Sequence, residues 1–494
     1  MRRLLICLIS LTLILVGCSQ KSTEVIKPEI NSVYYEVFVG SFYDSDGDGM
    51  GDLKGVEEKL DYIQYDLGAT GIWFMPIHSS DTYHKYDVSD YYSIDSAYGT
   101  MEDFESLVAE MNKRDMDLIM DLVLNHTSTK HQWFQKAITD NLNNQCTEIN
   151  ECNYYNFSSE YIAGYHQLTN NLWYEGVFWD QMPDLNLDNS LLREEIVDII
   201  DFWLDKGIKG FRLDATTHFY ERNQESNIEF LRWLNTEVKS IKPDAYIVGE
   251  AWSGESIILD MARSGIDSFF NFSFSQNSGN IVKAIRNENG NKLAQQIVDY
   301  NKALEESNDK VIDAVFLSNH DNDRSAGYLI KDEDKKLAAN IYLLMPGNVF
   351  VYYGEEVGLK GSGIDENKRL PILWNKDGVG VTTGPKDATY QQKDPIYVDE
   401  ALKDKDSLLN HYKRVISLRN QHSEISRNSV EIIDLNDDRL AVLDYGSIVI
   451  VHNLSKENVS FELEYQEVIA IQNEAKINGN TIVIDGKQSL IIKR

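Results

Sequence analysis

Three carboxylates in this chain each stand at the C-terminal end of an apolar run: Asp214 after IKGFRL, Glu250 after AYIVG, and Asp321 after VIDAVFLSNH. Arg212 precedes Asp214 by two residues, so on a strand both side chains lie on one face. His126 closes a further run, MDLIMDLVLN, and His320 stands directly before Asp321. Carboxylates converging with an arginine and histidines suit cleavage of a glycosidic bond. One must be ionised to attack the anomeric carbon or balance its positive charge, and another must hold a proton for the departing oxygen. Arg212 favours the ionised form of Asp214, because a nearby cation lowers a carboxyl pKa. Glu250, with Val248 and Trp252 close in sequence, is the candidate for a raised pKa and the acid role. One strand-end carboxylate alone is as readily a helix cap or an ion-pair partner. Three of them, with an arginine and two histidines, favour catalysis.

A second acidic group lies in DSDGDGMGDLKG, residues 44–55. Asp44, Asp46 and Asp48 alternate and Gly49 follows, which matches the opening of a calcium-loop pattern. Position twelve, where an EF-hand needs a bidentate Glu, is Gly55, and the preceding VYYEVFVGSFY reads as a strand. An EF-hand is therefore excluded. A calcium loop of another kind and a solvated acidic turn both stay open on these residues.

Elements must bring the scattered carboxylates together. From about residue 33 to 353, eight β-rich apolar runs alternate with helical patterns: VYYEVFV, GIWFMPI, MDLIMDLVL, IKGFRL, AYIVGE, IDSFFNF, VIDAVFL and NVFVYYG. Helical patterns between them include MEDFESLVAEMNKR, SLLREEIVDIIDFWLDKG and NIEFLRWLNTEVKSI. This order predicts an α/β fold, a (β/α)8 TIM barrel whose functional residues gather at the C-terminal strand ends. An open doubly wound sheet is the alternative, but no Gly-rich dinucleotide fingerprint follows the first strand. The connection after the third run is unusually long, and its first part, about 127–187, predicts an inserted domain. Long connections of this kind are usually functional. Beyond about residue 425, short alternating runs such as LAVLDY, SIVIVHNL and TIVIDG predict a C-terminal antiparallel β-sandwich. The expected divisions are 31–425 for the barrel with its insert and 426–494 for the β domain.

A length of 494 residues, with 42% hydrophobic and 11% aromatic residues, argues for a large folded core. The net charge of −32 makes nucleic acid an unsuitable partner, since phosphate contacts need a basic footprint. At the N-terminus, basic MRR precedes apolar LLICLISLTLILV, too short for an ordinary spanning helix. The run ends Leu15-Val16-Gly17-Cys18 and resembles a bacterial lipobox, with residues 1–17 as signal peptide and 18–30 as tether. That resemblance implies a lipidated Cys18 and a place on the cell surface, anchored to the extracytoplasmic face of the membrane. A plain secretory signal is the competing reading. With Cys7 lost and Cys18 lipidated, Cys146 and Cys152 remain, as a disulfide across CTEINEC or as two free thiols.

Taken in order, these motifs resemble the α-amylase family, glycoside hydrolase family 13. DLVLNH (121–126), GFRLDATTH (210–218), VGEAW (248–252) and FLSNHD (316–321) are similar to its four main conserved regions. GIWFMPIH (71–78) and QMPDLN (181–186) resemble two further ones, HKYDVSDYYSID (84–95) a segment lining the first sugar site, and DENKRLPILW (365–374) a segment past the barrel. The resemblance implies retaining hydrolysis, with Asp214 as nucleophile, Glu250 as general acid/base and Asp321 as stabiliser of the transition state. It places Arg212, His126, His320, Tyr86 and Asp87 around the sugar whose anomeric carbon reacts. For the acidic loop it implies a structural Ca2+ held by Asp44, Asp46, Asp48, Asp52 and the Met50 carbonyl, a hard cation with oxygen ligands.

The form MPDLN resembles an intermediate group of the family that contains α-amylases, and Ala215 after the nucleophile accompanies α-1,4 specificity. The implied substrate is therefore starch or a related α-glucan. An α-glucosidase, maltodextrinase or transglycosylase on the same frame is the enzyme alternative, and a non-catalytic glycan-binding protein the alternative of another class. Thr217 departs from the family pattern, which has Lys before the position of His218. Trp173, Tyr174, Phe178 and Trp179 are either stacking platforms for glucose rings or the insert's own small core.

Overall fold

A computed structural model describes residues 33–221, 223–426 and 429–494. The expected signal peptide, the tether up to residue 30 and Cys18 lie outside the described residues.

Eight parallel strands close a barrel: β1 (Val33–Val37), β2 (Gly71–Phe74), β3 (Asp117–Leu122), β4 (Gly210–Leu213), β5 (Tyr246–Gly249), β6 (Ser268–Phe270), β7 (Ile312–Phe316) and β8 (Asn348–Tyr352). Each pairs with its sequence neighbours, and β8 pairs with β1 to complete the ring. The strands are nearly continuous apolar runs because both faces are covered, one by the barrel interior and one by the surrounding helices. GIWF and YIVG are buried at every position. The register of the ring sets Arg212 on β4 opposite both Asp121 on β3 and Val248 on β5.

Local signals set the helices. The short α1 (Leu53–Glu58) begins at Asp52, whose side chain accepts from the Gly55 N–H. In α2 (Met101–Lys113), Thr100 and Asp103 form a reciprocal capping box, and Phe104, Leu107, Val108 and Met111 make its buried stripe. An antiparallel ribbon, His78–Ser80 with Val88–Ile94, rises beyond β2. It did not stand out in the sequence, because its buried residues are interleaved with Ser, Asp and exposed Tyr92.

The long connection after β3 holds α3 (Gln132–Leu142) and a three-stranded sheet of Phe157–Ser158, Tyr165–Thr169 and Leu172–Glu175. A disulfide joins Cys146 and Cys152, with Cα atoms 5.6 Å apart. Helix α4 (Ser190–Asp205) then returns the chain to the barrel. Past the barrel, a five-stranded and a three-stranded antiparallel sheet face one another over a separate core, with Val442, Val449, Val451 and Ile492 against Val459, Phe461 and Ile482. Two of these strands, Glu467–Ala470 and Lys476–Asn478, carry too few buried residues to announce themselves in the sequence. Among the described residues, no helix is long and apolar enough to cross a membrane.

Candidate active site

Arg212 organises the mouth of the barrel. Its side chain is fully buried, and Nη1 donates to Asp121 Oδ1 at 2.8 Å and to Asp214 Oδ1 at 2.6 Å. Its Nη2 lies 2.9 Å from Glu250 Oε2. One guanidinium therefore touches three carboxylates, which fits the planar fork of arginine better than the point charge of lysine. The backbone carries the same logic one residue past Asp214. Ala215 adopts a left-handed φ of +46°, and its N–H donates to Glu250 Oε2 at 3.1 Å. Such a conformation costs a non-glycine residue roughly 1–3 kcal/mol and is held by its surroundings.

A second network starts on β1. Glu36 Oε1 accepts from His320 Nδ1 at 2.6 Å, and His320 Nε2 lies 2.9 Å from Asp321 Oδ2 and 2.7 Å from the Tyr86 hydroxyl. Tyr86 donates to Asp121 Oδ2 at 3.1 Å, linking this network to Arg212. Arg369 Nη2 donates to Asp321 Oδ1 at 3.0 Å, and its Nη1 reaches the Tyr83 hydroxyl at 3.1 Å. Burial opposes charge on His320, yet Asp321 and Glu36 push its pKa up to about 9. Burial works the other way on Asp321, but His320, Arg369 and Arg212 hold it well below the usual carboxylate range. Asp321 is therefore an anion at every ordinary pH.

Glu250 is in the opposite state. Burial pushes its pKa up to about 7, Arg212 opposes the rise, and Asp214 and Asp321 add to it. The cause differs in part from the sequence expectation. Val248 is wholly buried, but Trp252 is 51% exposed, its ring stacked flat on Phe272, so the barrel mouth and not that indole desolvates the carboxyl. Glu250 and Asp321 thus meet opposite environments at one barrel mouth, a pattern that gives the proton to one and the charge to the other.

His126 and Asp87 complete the rim. The Nε2 of His126 is buried with no hydrogen-bond partner among the described residues. Such an atom costs about 1–3 kcal/mol unless something pairs with it, and a sugar hydroxyl is a suitable partner. Asp87 accepts from the hydroxyls of Ser80, at 2.5 Å, and Thr82. The aromatic residues of the insert divide between the two readings. Tyr174 is buried against Phe134, whereas Phe178 and Trp179 are nearly half exposed, and Phe178 lies 5.5 Å from the His126 ring and 5.1 Å from His218. Residues outside the predicted set also reach the centre: Glu36, Asp121, Tyr83 and Arg369. The runs DLVLNH and DENKRLPILW contain two of them, but nothing in the spacing marks Glu36 on β1 as facing His320.

The acidic loop is separate. Ligand oxygens of Asp44, Asp46 and Asp48 lie within 4.8 Å of one another. Asp44 accepts from the N–H groups of Gly47 and Gly49, and Asp48 from that of Met50, so the turn is drawn around its carboxylates. Gly49 has φ +93°, a backbone state that favours glycine. Asp52 is outside this trio: Oδ1 accepts from the Gly55 N–H and the Ser45 hydroxyl, and Oδ2 from the Ser45 N–H. Three clustered carboxylates repel one another and are hard oxygen donors, so the residues present fit a calcium ion.

The profile described as the catalytic domain of α-amylase matches residues 36–428. Alpha-amylase 3 of Dictyoglomus thermophilum is 37% identical over 486 residues, covering 94% of this chain and 93% of that protein. An oligo-1,6-glucosidase of Parageobacillus thermoglucosidasius is 30% identical over 524 residues, covering 87% and 91%. Among solved structures, Eubacterium rectale Amy13B superposes with a TM-score of 0.91 at 40% identity, over 95% of this chain and 96% of that one. A closed barrel with three carboxylates at its mouth and a match across most of its length make this chain a member of the α-amylase family, glycoside hydrolase family 13, a glycosidase acting on α-glucans.

Proposed function

We propose that the protein is an α-amylase that hydrolyses α-1,4 bonds of starch and maltodextrins with retention of configuration. The observation that carries this reading is Arg212 in contact with both Asp214 and Glu250, while Asp321 is held anionic by His320 and Arg369. Retaining enzymes place nucleophile and acid about 5–5.5 Å apart, and two carboxyls gripped by one guanidinium are suitably close. In the first step an Asp214 oxygen bonds to the anomeric carbon. The glycosidic C–O bond breaks, and Glu250 gives its proton to the departing 4-oxygen. In the second step the Glu250 carboxylate takes a proton from water. That water's oxygen bonds to the anomeric carbon, and the ester to Asp214 breaks. Asp321 balances the positive charge between the two states, and His126 Nε2 pairs with a sugar hydroxyl. Asp44, Asp46 and Asp48 would hold a structural calcium ion that takes no part in these bond changes.

Ala215 supports the α-1,4 assignment over the α-1,6 one. The test is a product profile on soluble starch, maltoheptaose, isomaltose and pullulan. Mixed maltooligosaccharides released early from starch are expected. Glucose alone, or cleavage of isomaltose, would replace the reading by an exo-acting glucosidase, and products longer than the substrate would replace it by a transglycosylase. No product at all would leave a glycan-binding protein.

A further inference from the structure

A cavity of about 620 Å³ lies away from the catalytic carboxylates, none of which lines it. Its walls come from the ribbon strand Val88–Ile94, from α3 and α4, and from Glu151. The volume falls within the ~300–1,000 Å³ range of small-ligand sites. The lining has three features in common with a site for a neutral polyol.

Tyr92 supplies an apolar platform. Its ring is 37% exposed and is held on edge by Phe202, with centroids 5.2 Å apart. Tyr and Trp rings in such positions offer apolar area at little conformational cost. His131 supplies a fixed donor. Its side chain is 2% exposed, and Nδ1 accepts from the Trp133 N–H at 3.2 Å, which leaves the proton on Nε2. That Nε2 has no hydrogen-bond partner among the described residues. Burial keeps the ring neutral, with a pKa lowered to about 4. The acceptors are carboxylates. Lys136 is already paired with Glu151 at 2.5 Å, so Asp90 and Glu195 leave the cavity acidic. Anions are repelled from such a lining, whereas hydroxyl groups find both acceptors and a donor.

We propose that this cavity is a second saccharide site, which holds a segment of α-glucan chain while another segment is cleaved at the barrel mouth. The inference rests on the α-glucan reading of the active site. The ribbon strand provides the connection: Asp87, directly before it, lies near enough to His126 at the barrel mouth to act on its charge, and Asp90 to Tyr92 line the cavity.

The test is calorimetric titration of the full chain with maltoheptaose in an Asp214→Asn background, where the ligand is not consumed. Two classes of site are expected. Adding Tyr92→Ala should weaken one class by about tenfold, the loss of one stacking contact, and leave the other unchanged. Glu195→Gln should weaken the same class, and it guards against a fold defect in the first variant. In the otherwise unchanged enzyme, Tyr92→Ala should leave maltotriose turnover intact and slow the attack on insoluble starch several-fold. A single class of site in the parent, or two classes that survive both substitutions, overturns the proposal. Hydrolysis with one binding class removes only the second site. Absence of both hydrolysis and binding removes the α-glucan reading itself.

Discussion

Glu250 and Asp321 are both buried carboxyls at one barrel mouth, yet their neighbours drive them to opposite protonation states. The consequence is a signed pH dependence. A group acting as acid must be protonated, so kcat/KM for a maltooligosaccharide should fall as pH rises through about 7, the value set by the burial of Glu250. Glu250→Gln should abolish that limb with the activity; a limb that stays at pH 7 in a residually active Gln variant would move the acid role elsewhere. Glu36 carries a second expectation. It touches no substrate-facing group except through His320, so it is a positioning residue. Glu36→Gln keeps a hydrogen-bond acceptor but removes one of the two carboxylates that raise His320, the other being Asp321. His320 should then lose its charge at lower pH, with Tyr86, Arg212 and Arg369 still beside the pair. The loss of kcat should be small at pH 5 and grow toward pH 8, with KM little changed. A uniform loss across pH would mean that Glu36 only fills space. Arg212 and Asp214 were legible in the sequence because two residues on a strand fix their common face. Glu36 was not, since its partner lies 284 residues away and only barrel closure brings the two together.

The elements that position these groups were legible wherever burial is uniform. Each barrel strand is an apolar run because no face meets water, and α2 shows its caps and stripe in plain sequence. Elements with mixed exposure were not legible: the ribbon that carries Tyr92, and the polar strands of the C-terminal sheets. The insert after β3 depends least on such patterns, which gives its disulfide a local role. Cys146 and Cys152 are six residues apart, and in the chain-entropy account a loop this short contributes about 2–3 kcal/mol. The cross-link follows directly on α3, and Cys152 packs against that helix at the Ala137 carbonyl. Cys152→Ser should therefore speed protease cleavage between residues 143 and 151 and leave hydrolysis of maltoheptaose at 25 °C nearly unchanged. Cleavage at the rate of the parent would show that the segment is held by its hydrogen bonds alone, among them Asn150 to Asp140 and Asn153 to the Thr147 carbonyl.

At the scale of the whole molecule, the acidic loop and the catalytic mouth are joined through one stretch of chain. Gly49 offers its carbonyl to both the N–H and the hydroxyl of Thr383, and the Asp44 N–H donates to the Gly380 carbonyl. Eleven to fifteen residues earlier, Lys368 Nζ donates to the Asp321 carbonyl and Arg369 grips the Asp321 carboxylate. A divalent ion at Asp44, Asp46 and Asp48 would fix the outer end of this stretch and relieve part of the repulsion within a chain of net charge −32. A ligand present at a hundred times its Kd adds about 2.7 kcal/mol to stability. Spread over so long a chain, that amounts to a shift in Tm of only a few degrees. Chelation should thus lower Tm by a few degrees and restoring calcium should recover it, with activity falling as the segment around Arg369 loosens. The control is Asp46→Ala, which should start at the lower Tm and ignore the chelator. A Tm that does not move at any chelator concentration would leave the loop a solvated turn, its carboxylates bound only to their own backbone. The tie between Gly49 and Thr383 would then hold the two segments without an ion.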